Sequence, residues 1–358
     1  VIMMITYVYF TICLLIIIYT LSFFMYHKYH HSIQDRTIRR FIRIVHNQLT
    51  HMDKKGYINR SHRILLIHRL KKVHLIIAFE KALERIEDGE DQIQLPSYLL
   101  QLEPVMIVVA THFRKKDMIE KAFIAKFIAK YSNGQWKAPE LYRTLIEYLS
   151  HSSVYVRENV LSATYRQPDI GWIVKAFRHI TEHHLSHNPK LVQDGLASYP
   201  SDKEALADTL WRQRGHFHSS IVVGIIGFIT MQSNQYQDEF LHALQHEKMD
   251  LELKLRLIRY YKRHPCPEAE ALLLSYASDS EDAVRIVAVH VLGSYRSKRV
   301  LSVLKRALLD HNWYVRRNAS QSLLAIDATA SDLSDVLSGH DQFAKDMLSY
   351  YYQLEGNV

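Results

Sequence analysis

Charge is missing from the start of the chain. Val1 to Tyr26 holds no Asp, Glu, Lys or Arg, and TICLLIII at its centre is strongly apolar. At about 1.5 Å per residue a helix of this length crosses a hydrocarbon layer of about 30 Å, so the stretch predicts a transmembrane helix over 1–26. A cleaved signal peptide fits less well, because no basic segment precedes the run and no small-x-small site stands before Tyr26. Cysteine is also scarce. Cys13 lies in the expected span and Cys266 in the turn RHPCPEAE, which excludes a disulfide framework and suits a reducing compartment. With 11 Gly and 8 Pro in 358 residues, and no Val/Ile-rich runs alternating with period two, an all-α fold is the class that remains.

Catalytic signatures are absent as well. The chain has no GxGxxG, Walker A, GxSxG, HExxH or CxxC sequence, and Gly224 and Gly227 of VVGIIGF sit inside an apolar helix where they serve close packing. The 22 His gather at His27/His30/His31, His183/His184/His187 and His216/His218, without the convergent companions that a zinc site needs. Carboxylate pairs such as Glu281/Asp282 stand in solvated turns and read as helix N-terminal charges. No catalytic, cofactor or metal site is expected.

What the chain does have is a repeat. SDSEDAVRIVAVHVLGSY and LDHNWYVRRNASQSLLAI carry Val284-Arg285 and Val315-Arg316, 31 residues apart, and HSSVYVRENVLSAT at His151 to Thr164 is a third copy. After each C-terminal pair, small or apolar residues fall at i+4, i+7 and i+8 (Ala288, Val291 and Leu292, then Ala319, Ser322 and Leu323), which places them on one helix face. A polar turn with Asp282 or Asp310 comes before, and another apolar helix before that, so each unit is a helical hairpin. Aligned on the Val, the units stand at Val156, Leu191, Ile221, Leu253, Val284 and Val315, at intervals of 35, 30, 32, 31 and 31. The following Arg appears only at Arg157, Arg285 and Arg316.

These units resemble HEAT repeats, whose second helix opens with an Asp-containing turn, Val-Arg, then Ala and Leu at these offsets. The resemblance implies an α-solenoid whose second helices form a long concave surface suited to another protein, and no reaction. It also implies that the Arg bonds the preceding Asp and builds a ladder between repeats, with Asp282 and Asp310 as partners. Exposed aromatics beside the Val, namely Tyr155, Trp313 and Tyr314, join Arg157 and Arg316 as candidate partner-binding residues, Trp and Tyr being favoured interface anchors. SYYYQLEGNV at the C-terminus, with Tyr350, Tyr351 and Tyr352, reads as an end cap over the last hairpin or, as the alternative, an exposed aromatic docking patch.

From His27 to His74, twelve Lys/Arg stand against Asp35 and Asp53, a net of +10, while the rest of the chain holds 33 basic and 35 acidic residues. The total of +8 therefore describes a basic collar next to the expected span. Lys28, Arg36, Arg39, Arg40 and Arg43 flank the span on one side only, which orients the N-terminus outside and the body in the cytoplasm, and sets these side chains at anionic lipid headgroups. Thr6, Cys13 and Thr20 share one face of the span and are candidates for helix packing in the membrane. The collar is helical in pattern, with a turn at Gly56 and a helix start at Asn59 to Ser61. A second apolar run covers Ile64 to Ile86, and further helices follow at Gln94–Leu102, Met106–Phe113 and Asp117–Tyr131. The domains expected are thus 1–26, a transmembrane helix; 27–135, basic juxtamembrane helices and divergent repeats; and 136–358, the solenoid with its cap.

The resulting expectation is a single-span cell-membrane protein with a cytoplasmic solenoid that acts by binding, as scaffold, adaptor or accessory subunit. Bacterial membrane-anchored HEAT proteins are similar in outline, which points to a membrane or membrane-associated partner such as a membrane glycosyltransferase or an envelope-polysaccharide complex. Two alternatives stand beside it. One is a HEAT-like enzyme acting on nucleic acid or a cofactor, although a nearly neutral array argues against phosphate binding. The other is an anionic-lipid-binding structural protein in which the collar is the working part.

Overall fold

The computed structural model describes residues 2–89, 93–151 and 153–354; within these, the side chains of residues 2, 4–6, 8, 9, 26, 27, 29–31, 151 and 352–354 lie outside the description. Among the described residues there are twenty α-helices and no strand. The chain divides into two compact units, 1–176 and 177–358.

In the first unit, helices of one layer pack in succession: α1 (Ile2–Lys55) on α3 (Val73–Glu87), α3 on α6 (Met118–Tyr131), and α6 on α8 (Val154–Tyr165). A second layer holds α2 (Arg60–Arg69), α4 (Leu95–Leu100), α5 (Glu103–Phe113) and α7 (Pro139–Glu147), with α2 and α7 both against α5. The apolar run 64–86 is two helices and not one. Its buried positions explain the break, because Leu66 and Leu70 lie on a different face from Ile76, Phe79 and Leu83 if the helix is continued at 100° per residue. A turn at 70–72 rotates the second stretch into the core. Pro104 likewise sits in the first turn of α5, where its missing N–H costs nothing, and Asp117 caps α6 by accepting from Glu120 N–H at 2.8 Å.

The second unit is a run of hairpins. The second helices α10 (Pro189–Ala197), α12 (Ser219–Gln232), α14 (Leu251–Arg263), α16 (Asp282–Leu292), α18 (Trp313–Ala325) and α20 (Gln342–Leu354) each pack on the next. The first helices α11 (Lys203–Arg212), α13 (Gln237–His246), α15 (Pro267–Tyr276), α17 (Lys298–Ala307) and the short α19 (Ser334–Leu337) each pack on the second helix that follows. The boundary between the units falls within α9 (Ile170–Glu182). The last helix, α20, packs on α18; residues 355–358 of the segment expected as a cap lie outside the described residues.

The six aligned positions share one place in their helices. Val156, Leu191, Ile221, Leu253, Val284 and Val315 each stand three residues after the N-cap, which is Ser153, Asn188, His218, Asp250, Glu281 and Asn312 in turn. Five of these caps accept a backbone N–H from the first turn, which satisfies donors that a helix start leaves free. The alignment therefore holds through the degenerate units. Packing confirms the small positions: Ala288 and Ala319 are fully buried, and a Cβ at Gly224 would lie 2.8 Å from the Pro189 carbonyl oxygen.

The first helix is continuous from Ile2 to Lys55. Its stripe of Ile38, Phe41, Val45, Leu49 and Met52 is buried, while Lys28, Arg36, Arg39, Arg40 and Arg43 are exposed on an opposite arc of about 120° at 100° per residue. The expected span 1–26 rests partly on side chains outside the description. Phe10 to Met25 is the longest uninterrupted described piece within it, and among the described residues no helix is long and apolar enough to cross a membrane. Of the packing candidates in this region, the Thr6 side chain lies outside the description. Cys13 is half-buried, and the Thr20 hydroxyl donates back to the Ile16 carbonyl at 2.5 Å. That bond engages the hydroxyl's only proton and weakens the case for Thr20 as an interhelical contact.

Candidate protein-binding surface

The cationic residue after each aligned position is where the hairpins are tied together. Lys254 Nζ donates to Asp279 Oδ2 at 3.0 Å, Arg285 Nε to Asp310 Oδ2 at 2.9 Å, and Arg316 Nη2 to Asp341. Each carboxylate follows its cation by 25 residues, in the turn between the two helices of the next hairpin, and the three carboxylates stand 31 apart. The ladder thus runs forward, to the next repeat. Arg285 also bonds its own Asp282 at 2.6 Å, as expected, together with the Asp279 and Ser280 carbonyls. The pairing of Arg316 with Asp310 does not occur; Arg316 turns to Asp341 and the Leu308 carbonyl instead. Lys254, in a unit whose letters had drifted, keeps its place on the ladder.

Each ladder carboxylate also braces its own turn. Asp279, Asp310 and Asp341 accept the backbone N–H of Glu281, Asn312 and Ala344 at 2.8–2.9 Å. Burial pushes the Asp279 carboxyl up, but the Glu281 N–H and Lys254 outweigh it and hold the group below the usual carboxylate range. The bond to Ala344 and the neighbouring Arg316 do the same for Asp341. These groups are therefore ionised at neutral pH and engaged in structure.

Two asparagines couple successive helices, α8 to α6 and α18 to α16. Asn159 Nδ2 donates to the Ala122 carbonyl at 3.1 Å and Asn318 Nδ2 to the Ile286 carbonyl at 2.9 Å, each three residues after the aligned Val. In α12 the outward side is taken by glycine. A Cβ at Gly227 would collide with the guanidinium of Arg256 and the amide of Gln193, and Arg256 Nη2 lies over it to donate to Gln193 Oε1 at 2.6 Å. Helices α10 and α14 are thereby joined across α12.

The candidate partner-binding residues separate by burial. Tyr155 is 79 % exposed, Trp313 47 % and Tyr314 57 %, because residues in the first turn, just before the buried Val, face outward. Arg157 is 8 % exposed and Arg316 is held by the ladder, so both are framework and not free surface. Around Trp313 an aromatic patch forms. Tyr314 packs on it edge-on at 5.1 Å, and Arg317 lies 5.8 Å over its ring while donating to the Tyr351 hydroxyl at 2.9 Å. Phe343 and Tyr350 are exposed near the same end, Tyr350 belonging to the segment that the sequence offers as either an end cap or an aromatic docking patch. By contrast Trp136, Trp172 and Trp211 are buried in the core.

The histidine clusters have structural partners. His218 caps α12 through Nδ1, which lies 3.2 Å from Ser220 N, and the backbone N–H of buried His187 donates to Ser220 Oγ. His183 Nδ1 lies 2.9 Å from the His179 carbonyl oxygen, while the side chains of His27, His30 and His31 are outside the description. Among the described residues no group of three or more His, Cys, Asp or Glu is placed to hold a metal ion.

Comparison with known proteins adds one match. No curated protein matches the chain, but the protein family described as HEAT repeats matches residues 238–325. That range runs from α13 to α18, the three hairpins that carry the three cations of the ladder, and it supports a HEAT-repeat architecture of the kind that serves in general as a scaffold for protein interactions.

Proposed function

We propose that the chain is a membrane-anchored scaffold or accessory subunit that binds a protein partner through the second-helix layer and performs no reaction of its own. The observation that carries this reading is the layer itself: helices tied at fixed spacing by the ladder, with Trp313 and Tyr314 exposed at its C-terminal end. Large amphipathic rings held at low entropy cost are the residues that interfaces use as anchors. Such a surface, repeated at constant pitch, is suited to extended contact.

The membrane part of the reading rests on α1. From Leu14 to Ile18 every side chain is apolar and about half exposed, on all sides of a helix, which is a pattern that calls for a lipid or protein environment. Beyond it, the exposed arc of Lys28, Arg36, Arg39, Arg40 and Arg43 suits anionic headgroups. In this arrangement the protein spans the cell membrane once, N-terminus outside, with residues 27–358 cytoplasmic. A tethered body meets membrane-associated proteins at raised effective concentration without any additional contact. The partner class proposed is a membrane glycosyltransferase or an envelope-polysaccharide complex.

Cross-linking in intact membranes followed by purification of the full chain tests this. Recovery of a membrane protein in amounts that fall when Trp313 and Tyr314 are replaced by Ala supports the reading. Recovery of nucleic acid without a membrane protein overturns it.

A further inference from the structure

The second helices carry a charge pattern that the total conceals. Residues 177–358 hold 20 Lys/Arg and 22 Asp/Glu, a net of −2. Within α12, α14, α16 and α18, however, eight basic residues stand against two acidic ones, Glu252 and Asp282. The ladder engages Lys254, Arg285 and Arg316. Four of the others, Arg256, Arg259, Lys262 and Arg263, crowd onto α14, and among the described residues no carboxylate comes within 4.0 Å of any of them.

The crowding is close. Arg259 and His290 occupy the same slot in successive repeats, 31 residues apart, and Lys262 Nζ lies 2.5 Å from His290 Nε2. An ammonium can bond an imidazole nitrogen only if that nitrogen accepts, so His290 is neutral. Burial, then Lys262 and Arg259, lower the His290 pKa, and burial followed by Arg259 lowers that of Arg256. Arg256 is also fixed in direction, since its guanidinium lies in the Gly227 notch and is bonded to Gln193. Glu252, one turn before Arg256, offsets part of this repulsion, but cations crowded on an ordered helix without an ion pair cost stability that an anionic guest would restore.

We propose that this face of α14, continued onto α16 by His290, binds an acidic segment of the protein partner. The inference deepens the scaffold reading and rests on it. Arg256, Arg259 and Arg263 stand at i, i+3 and i+7, spanning about 10 Å of helix. Three alternate carboxylates of an extended segment of about five residues span about 13 Å at about 3.3 Å per residue, enough to cover that length. A guanidinium fork takes a carboxylate through two parallel bonds, which gives the contact direction as well as charge. A nucleic acid fits less well. It would need the cations to continue along the layer, and the slot of Arg259 becomes His290 and then Gln321, on a unit whose net charge is negative.

The test uses the full chain in detergent and a fluorescein-labelled oligoglutamate peptide as probe. Arg259→Glu with Lys262→Glu is expected to weaken binding at least about tenfold, and binding by the unsubstituted chain is expected to fall as salt is raised. Lys298→Glu with Arg299→Glu makes the same charge change at two exposed residues of α17, in the first-helix layer, and is expected to leave binding unaltered. Arg259→Gln with Lys262→Gln, a milder pair, should show a smaller loss at an unchanged melting temperature. Equal losses in the α14 and α17 variants, no loss in the α14 variants, or tighter binding of a single-stranded oligodeoxynucleotide at this face would overturn the proposal. A partner protein captured from membranes equally well by the α14 variants would also overturn it while leaving the scaffold reading intact. Failure of the unsubstituted chain to capture any protein would instead sink the scaffold reading.

Discussion

Asp310→Ala removes a carboxylate that the next hairpin and the one before it share. Its oxygens accept from Arg285 Nε at 2.9 Å, from Arg285 Nη2 at 3.3 Å and from the Asn312 N–H at 2.8 Å. Arg285 is 6 % exposed, but it keeps Asp282 at 2.6 Å and two backbone carbonyls. The loss therefore falls below the roughly 3–5 kcal/mol of an orphaned buried charge. A charge-assisted bond of about 1.5–3 kcal/mol and a turn bond of about 1 kcal/mol together suggest about 3 kcal/mol. Asp310→Asn retains an acceptor for the Asn312 N–H and loses the charge, for about 2 kcal/mol by the same reasoning. For a unit of 182 residues, at about 2–4 °C per kcal/mol, Asp310→Ala should lower the melting temperature by about 6–12 °C. Solenoids can open locally, so hydrogen exchange is the sharper assay, with protection lost first at α16, α17 and α18. Asp327→Ala serves as control, because its pair with Arg296 is about 70 % exposed on both sides and should be worth under about 1 kcal/mol. The reasoning fails if the two variants melt alike, or if protection in Asp310→Ala falls evenly along the unit.

Other outcomes follow from the same physics. Burial against Tyr98 pushes the His62 imidazole down to about 4 from an unfolded value of about 6.5. The neutral ring's contribution is full above pH 6.5 and is lost, by up to about 3 kcal/mol, as pH falls toward 4; urea midpoints across this window should slope in the native chain and flatten in His62→Phe. The ladder carboxylates Asp279 and Asp341 have lowered pKa values, so their contribution is full above about pH 3.9 and disappears only below it. A ladder variant whose destabilisation already vanished at pH 5 would contradict that. Gly224→Ala drives a Cβ onto the Pro189 carbonyl and Val192 and should cost about 1–3 kcal/mol. Gly227→Ala meets only the movable ends of Arg256 and Gln193, so a helix-propensity gain of about 1 kcal/mol offsets the lost bond; denaturation of both variants checks the difference. Trp313→Ala with Tyr314→Ala should reduce partner capture at least about tenfold, as anchor residues do, with little change in melting.

The repeat was legible because its markers are local. A capping residue three positions before a buried Val survives even where the Arg has been replaced, and so the alignment through Leu191, Ile221 and Leu253 matches the helix starts. The ladder was legible only in part. Its cations were visible in the Val-Arg pairs, whereas their partners lie 25 residues on, and the 31-residue spacing of Asp279, Asp310 and Asp341 was the signal that would have found them. Lys254 was hidden by a change of letter that keeps the charge. The split of 64–86 was hidden for another reason: no Gly or Pro marks it, and only the change of buried face requires it. Charge summed over the whole array concealed the cationic second layer, because acidic turns and first helices cancel it in the total.

A photo-reactive residue placed in turn at Tyr314, at Gln321 and at Lys298, followed by illumination of intact membranes, tests the central claim most directly. Tyr314 and Gln321 lie on α18 in the second-helix layer, while Lys298 lies on α17 in the first. The account predicts a protein cross-link from the first two positions and none from Lys298. Equal cross-linking from all three, or adducts to lipid or nucleic acid in place of a protein, would contradict it.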